Sequence, residues 1–133
     1  MSAPRSLRPG YAPGRHAIEG YGAGGFRFAG LSHVGSILAT PKGVGAAAIG
    51  AAAEIDAAAL APLFAELDAE PGSIEFLVIG TGAHMAPLAP ALQARLRAAG
   101  LGFEAMATGP AARVYNVMIG ENRRVAALLI AAP

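Results

Sequence analysis

A chain of 133 residues suits one domain and buries about two-thirds of its unfolded surface, so it needs no covalent staple. It has no cysteine, which excludes disulfides, thiolate metal sites and thiol catalysis. Ten basic residues against nine acidic ones leave a net charge of +1, which argues against a polyanionic partner or an acidic substrate.

The basic residues are nine arginines and Lys42, and with abundant alanine this is the usage of a GC-rich bacterial genome. A mean hydropathy of +0.47 invites a membrane reading. The longest uncharged stretch, Phe76 to Ala94, is broken by Gly80, Gly82, His84, Pro87, Pro90 and Gln93. A spanning helix needs about 20 predominantly apolar residues, so this stretch reads as strand, loop and helix. The N-terminus lacks the continuous apolar run of a secretory signal. Arg5, Arg8 and Arg15, with no acid before Glu19, resemble a mitochondrial transit peptide, but Pro4, Pro9 and Pro13 oppose its amphipathic helix. Residues 1–15 are expected to be a flexible tail, and residues 16–133 a single cytoplasmic domain.

The first half reads as short strands. Ile18 to Tyr21 is extended, Phe26-Arg27-Phe28 alternates with period two, and His33 to Ala39 continues as a strand to Thr40-Pro41. Val44 to Ile49 reads as another strand. Asp56 is a candidate N-cap for a helix with Leu60, Leu63, Phe64 and Leu67 on one face. Pro62 requires that helix to kink or to begin near Ala61. Ile74 to Gly80 is apolar at almost every position, so a central strand covered on both faces is expected. A helix follows from Pro87 to Ala99, with Leu88, Leu92 and Leu96 on one face and Gly100 past its end. Phe103 to Ala107 is a strand, Thr108 a candidate cap with Pro110 in the first turn, and a helix runs to Gly120. Arg124 to Ile130 closes the chain. The fold class is therefore α/β. A strand-rich N-terminal half joins a β-α-β-α-β C-terminal half around a mixed central sheet.

Gly20-Tyr21-Gly22-Ala23-Gly24-Gly25 matches the glycine spacing of a dinucleotide fingerprint, but strand pattern follows where a helix is needed. No acidic residue stands about 20 positions on, so the run reads as a turn. Gly80-Thr81-Gly82 lies between the strongest strand and a helix, where α/β sheets bind ligands. Thr108-Gly109 occupies the same place after the next strand. If the strands are neighbours, Gly80, Thr81, Gly82, His84, Thr108, Gly109 and Arg113 share one rim, the candidate surface for a ligand or partner. The tight-turn reading of the glycines stands beside it. Tyr115, Asn116, Glu121 and Arg123 form a polar cluster read as structural, with Asn116 serving backbone groups and Glu121 pairing with an arginine.

Catalytic constellations fail. There is no G-x-S-x-G, and the aspartates, Asp56 and Asp68, belong to the acidic first helix region. His16, His33 and His84 lack metal-ligand spacing, so no metal and no cofactor are expected. Glu66, Asp68 and Glu70 read as a solvated helix face. The paired arginines Arg95 with Arg97 and Arg123 with Arg124 are too sparse for nucleic acid.

Ile79-Gly80-Thr81-Gly82, Met106-Ala107-Thr108-Gly109, Tyr115-Asn116 and Glu121-Asn122-Arg123-Arg124-Val125-Ala126-Ala127 together resemble a domain family of unknown function. That family includes the mitochondrial complex I assembly factor three and the adipogenesis-associated protein. Ile18-Glu19-Gly20-Tyr21-Gly22 and Phe26-Arg27-Phe28 resemble its opening. The resemblance spans about residues 17–130. It implies a three-layer α/β domain without an established catalytic residue, and a role in assembling respiratory complex I. Ala107, Ala112 and Val114 stand where members often carry an acid, a cysteine and a threonine. Two functions remain open from sequence: a non-enzymatic interaction or assembly protein acting on a respiratory or other membrane protein from the cytoplasmic side, or a binder of a small ligand or anion, an unrecognised enzyme included, that uses the strand-end loops.

Overall fold

The apolar run that ends at Gly80 forms a strand, and the rest of the chain is laid around it. The computed structural model describes residues 11–133. The first strands are β1 (Ala12–Pro13), β2 (Ile18–Gly22), β3 (Gly25–Phe28), β4 (Leu31–Val34), β5 (Ile37–Thr40) and β6 (Gly43–Ala46). The later ones are β7 (Phe76–Gly80), β8 (Gly102–Met106) and β9 (Val125–Leu129). The helices are α1 (Ala61–Ala69), α2 (Pro90–Ala98) and α3 (Thr108–Gly120). A six-stranded sheet has the order β1-β6-β5-β9-β7-β8, and β2-β3-β4 form a second, antiparallel sheet. β7 pairs in parallel with both β8 and β9, setting Gly80 level with Met106 and Leu129. β5 runs antiparallel to β9, so the large sheet is mixed.

Side-chain alternation splits the core in two. Leu77 and Ile79 of β7, with Ala126 and Leu128 of β9, face α1 and α2 and meet Leu63, Phe64, Leu92 and Leu96. Val78, Val125, Ala127 and Leu129 face the other way, toward Ala111, Ala112 and Tyr115 of α3 and toward Phe26 and Phe28 of the small sheet. The result is three layers, as expected, with β7 covered on both faces. Burial pushes the Tyr115 phenol well above its ordinary pKa, so it stays neutral within the core.

Several local expectations are corrected. His33 to Ala39 is not one strand. Gly35 adopts φ +100°, a left-handed conformation that glycine tolerates, and separates β4 in the small sheet from β5 in the large one. Val44 to Ile49 shortens to β6. Asp56 does not cap α1: its Oδ1 accepts the Ala59 N–H at 2.9 Å, closing a preceding turn. α1 begins at Ala61, one of the two outcomes expected for Pro62, which lies in the first turn, where a missing N–H costs nothing. α2 begins at Pro90 rather than Pro87. The expected tail lies outside the described residues over positions 1–10. Its last part is built into the sheet, with Ala12 opposite Val44 and Pro13 opposite Gly43.

Candidate functional site

Because β7 and β8 are neighbours, the two strand-to-helix loops meet at one rim, and β9 ends beside them. Thr108 sits where Gly80 has no side chain: a Cβ there would fall 2.9 Å from the Thr108 Cα and 3.0 Å from a Leu129 methyl. Thr108 is fully buried, and its hydroxyl accepts the Gly82 N–H at 2.9 Å and donates to the Ile130 carbonyl at 2.7 Å. This corrects its expected role. Ala107 occupies the cap position of α3, and Thr108 is the first helical residue, with its hydroxyl turned across the strand ends. The Thr108 N–H donates to the Gly82 carbonyl at 2.8 Å and the Ile130 N–H to the Gly80 carbonyl at 2.9 Å.

Thr81 performs a similar task one residue earlier. Its N–H donates to the Met106 carbonyl at 2.8 Å, and its hydroxyl donates to the His84 carbonyl at 2.7 Å while accepting the Ala86 N–H at 3.0 Å. The rim therefore brings Gly80, Thr81, Gly82, Thr108 and Gly109 together; His84, in the loop after Gly82, and Arg113, further along α3, are exposed. Both threonine hydroxyls donate to main-chain carbonyls. Neither has a side-chain base to take its proton, which a nucleophile would need.

The structural cluster divides. Asn116 grips β2 from α3, its Oδ1 accepting the Ile18 N–H at 2.8 Å and its Nδ2 donating to the Ile18 carbonyl at 2.9 Å. Among the described residues Glu121 has no ion pair with an arginine. Arg123 lies 3.7 Å from Glu75. The Glu75 carboxylate also accepts the Arg124 N–H at 3.0 Å.

Three features escape sequence reasoning. Tyr21 lays its hydroxyl over Gly109, where a Cβ would meet it at 2.5 Å, although the ring remains 51% exposed. Met85, in the loop after Thr81, is 62% exposed. Glu66 is not on a fully solvated face: its Oε1 accepts the hydroxyl of buried Thr40 at 2.6 Å, while Asp68 and Glu70 are exposed. A long apolar side chain flanked by glycines is the available hint for Tyr21. Nothing local signals the other two.

A mixed α/β sheet with a cross-tied strand-to-helix rim defines the class. The chain belongs to the family described as protein of unknown function (DUF498/DUF598), which matches residues 18–130. It is 41% identical over 131 residues to an uncharacterised protein of Rhodobacter capsulatus, covering 98% of this chain and 94% of that one. A Rhodopseudomonas palustris protein of known structure is 42% identical with a TM-score of 0.81, covering 99% of this chain and 94% of its own. A Bartonella henselae structure, described as an outer membrane protein, is 38% identical with a TM-score of 0.83 over 91% of this chain and 98% of its own. A Bordetella pertussis protein described as a Mth938-like domain has a TM-score of 0.76 at 28% identity, over 86% of this chain and 85% of its own. Among the described residues no helix is long and apolar enough to cross a membrane.

Proposed function

We propose that this chain is a non-enzymatic interaction domain whose working surface is the rim at the ends of β7, β8 and β9. The observation that carries this is the internal use of both rim hydroxyls. With Thr81 and Thr108 tied to main-chain groups, the exposed side chains on or beside the rim loops are Tyr21, His84 and Met85, with Arg113 exposed further along α3. Exposed aromatic, methionine and arginine side chains over a fixed backbone suit protein recognition better than acid–base chemistry. The partner class follows from the family resemblance: a subunit or assembly intermediate of a membrane complex such as respiratory complex I, met from the cytoplasmic side.

The test is quantitative cross-linking and capture from native membranes and cytosol. Tyr21→Ser and Met85→Ser should lose partners that the wild type and Arg95→Ala retain, with unchanged melting. Loss of partners on the α2 side, with the rim variants behaving as wild type, would move the surface to the helices.

A further inference from the structure

A second region, distant in sequence from the rim residues, has a different polar character. α1 packs over the turn between β5 and β6, leaving a cavity of about 400 Å³. Small-molecule sites span about 300–1,000 Å³, so this is room for a small ligand. Its apolar wall is Leu38, Pro62, Ala65 and Ala69. Tyr11, Thr40, Lys42 and Glu66 supply the polar side chains, the Tyr11 hydroxyl donating to the Lys42 carbonyl at 3.3 Å.

Glu66 is only half provided for. Its Oε1 takes the Thr40 hydroxyl, and the same Thr40 oxygen accepts the Lys42 N–H at 3.3 Å, so the acid and the turn are coupled. Its Oε2 is buried and, among the described residues, has no hydrogen-bond partner. A buried carboxyl oxygen left without a donor is costly, and a donor brought to it recovers that cost. The last torsion of a glutamate is broad, so rotation about it can bring a carboxyl oxygen of Glu66 to the cavity that this residue lines. Lys42, the chain's single lysine, borders the same cavity and is exposed, so opposite charges flank an apolar wall.

We propose that this cavity binds a small zwitterion, an α-amino acid with a short apolar side chain, its ammonium on Glu66 and its carboxylate on Lys42. A simple cation would gain Glu66 but meet Lys42, and a simple anion the reverse. A zwitterion satisfies both, and its side chain covers Leu38 and Ala65.

The experiment is a ¹H–¹⁵N NMR titration of the full chain with L-valine, N-acetyl-L-valine, which lacks the ammonium, and L-valinamide, which lacks the carboxylate. Valine should shift the amides of Lys42, Gly43, Ala65 and Glu66 saturably, and each derivative should bind about tenfold more weakly. Glu66→Gln should erase the preference over the acetylated probe, and Lys42→Met the preference over the amide. Lys42 is exposed, so its variant folds whatever becomes of the other. No saturable shift up to about 10 mM valine, equal binding of all three probes, or preferences untouched by either substitution would overturn the assignment.

Discussion

The rim and the α1 cavity both hold a threonine hydroxyl inside a small α/β domain, yet they treat polar atoms in opposite ways. At the rim, Thr108 accepts from one strand-end loop and donates to another, and Thr81 does the same within its own loop. In the cavity, Thr40 donates to a carboxylate whose second oxygen has no partner among the described residues. Buried polar groups that are fully satisfied fix a structure, whereas one left open marks a place where something else can bind. The residues most suggestive in sequence, the threonines and glycines after β7 and β8, thus hold the fold together. A glutamate that reads as solvent-facing carries the open valence.

The largest effect should separate the two regions directly. Thr108→Val keeps the shape but leaves the Gly82 N–H and the Ile130 carbonyl buried without partners, and should cost about 2–4 kcal/mol in denaturant unfolding. Thr108→Ser, which keeps the hydroxyl, should recover most of it. A loss for valine no larger than for serine would mean that the rim is held by packing. Gly80→Ala should follow at about 1–3 kcal/mol, because the new methyl meets the Thr108 Cα and a Leu129 methyl at 3.0 Å or less. Neither change touches the cavity, so amides near Glu66 should keep their chemical shifts.

On the other side of the comparison, Glu66→Gln should lose no more than about 1 kcal/mol, because the amide oxygen still accepts the Thr40 hydroxyl. A loss comparable to that of Thr108→Val would show the carboxylate to be a structural tie and erase the contrast.

How much of this was legible in sequence depended on how far each side chain reaches. β7 was clear because both of its faces are buried, so every position is apolar, and the leucines of α2 repeat every four residues on one face. The mixed sheet follows from those periods, and the three layers are what the family resemblance implies. The break at Gly35 was not clear, since an apolar run on both sides conceals a left-handed glycine. Thr108 reads as a cap because capping is decided within three residues, but its acceptor, Ile130, lies 22 positions away. Glu66 reads as solvated because its charged neighbours are, while its partner Thr40 lies 26 positions earlier. Local signals placed the elements and the rim, and non-local pairing decided what each polar atom does.

The smallest effect comes from the opposite end of β7 and provides a control that is neither rim nor cavity. Glu75 accepts the Arg124 N–H, the main reason its carboxyl lies below the ordinary value of 4.5, with the Arg124 and Arg123 charges adding to it and desolvation opposing. A carboxylate with a depressed folded-state pKa contributes stability that is present above its unfolded pKa and is lost as pH falls through the folded one. The gap between wild type and Glu75→Gln should therefore be constant above about pH 5.5 and close progressively on acidification. Salt should narrow only part of it. The Arg123 guanidinium at 3.7 Å is solvent-exposed and screened, whereas the Arg124 N–H is fixed by the chain. Chemical unfolding between neutral and acid pH at two ionic strengths reads both parts. A gap that persists in acid would remove the ionised carboxylate as its cause, and one that vanishes wholly in salt would assign it to the arginines rather than to the backbone.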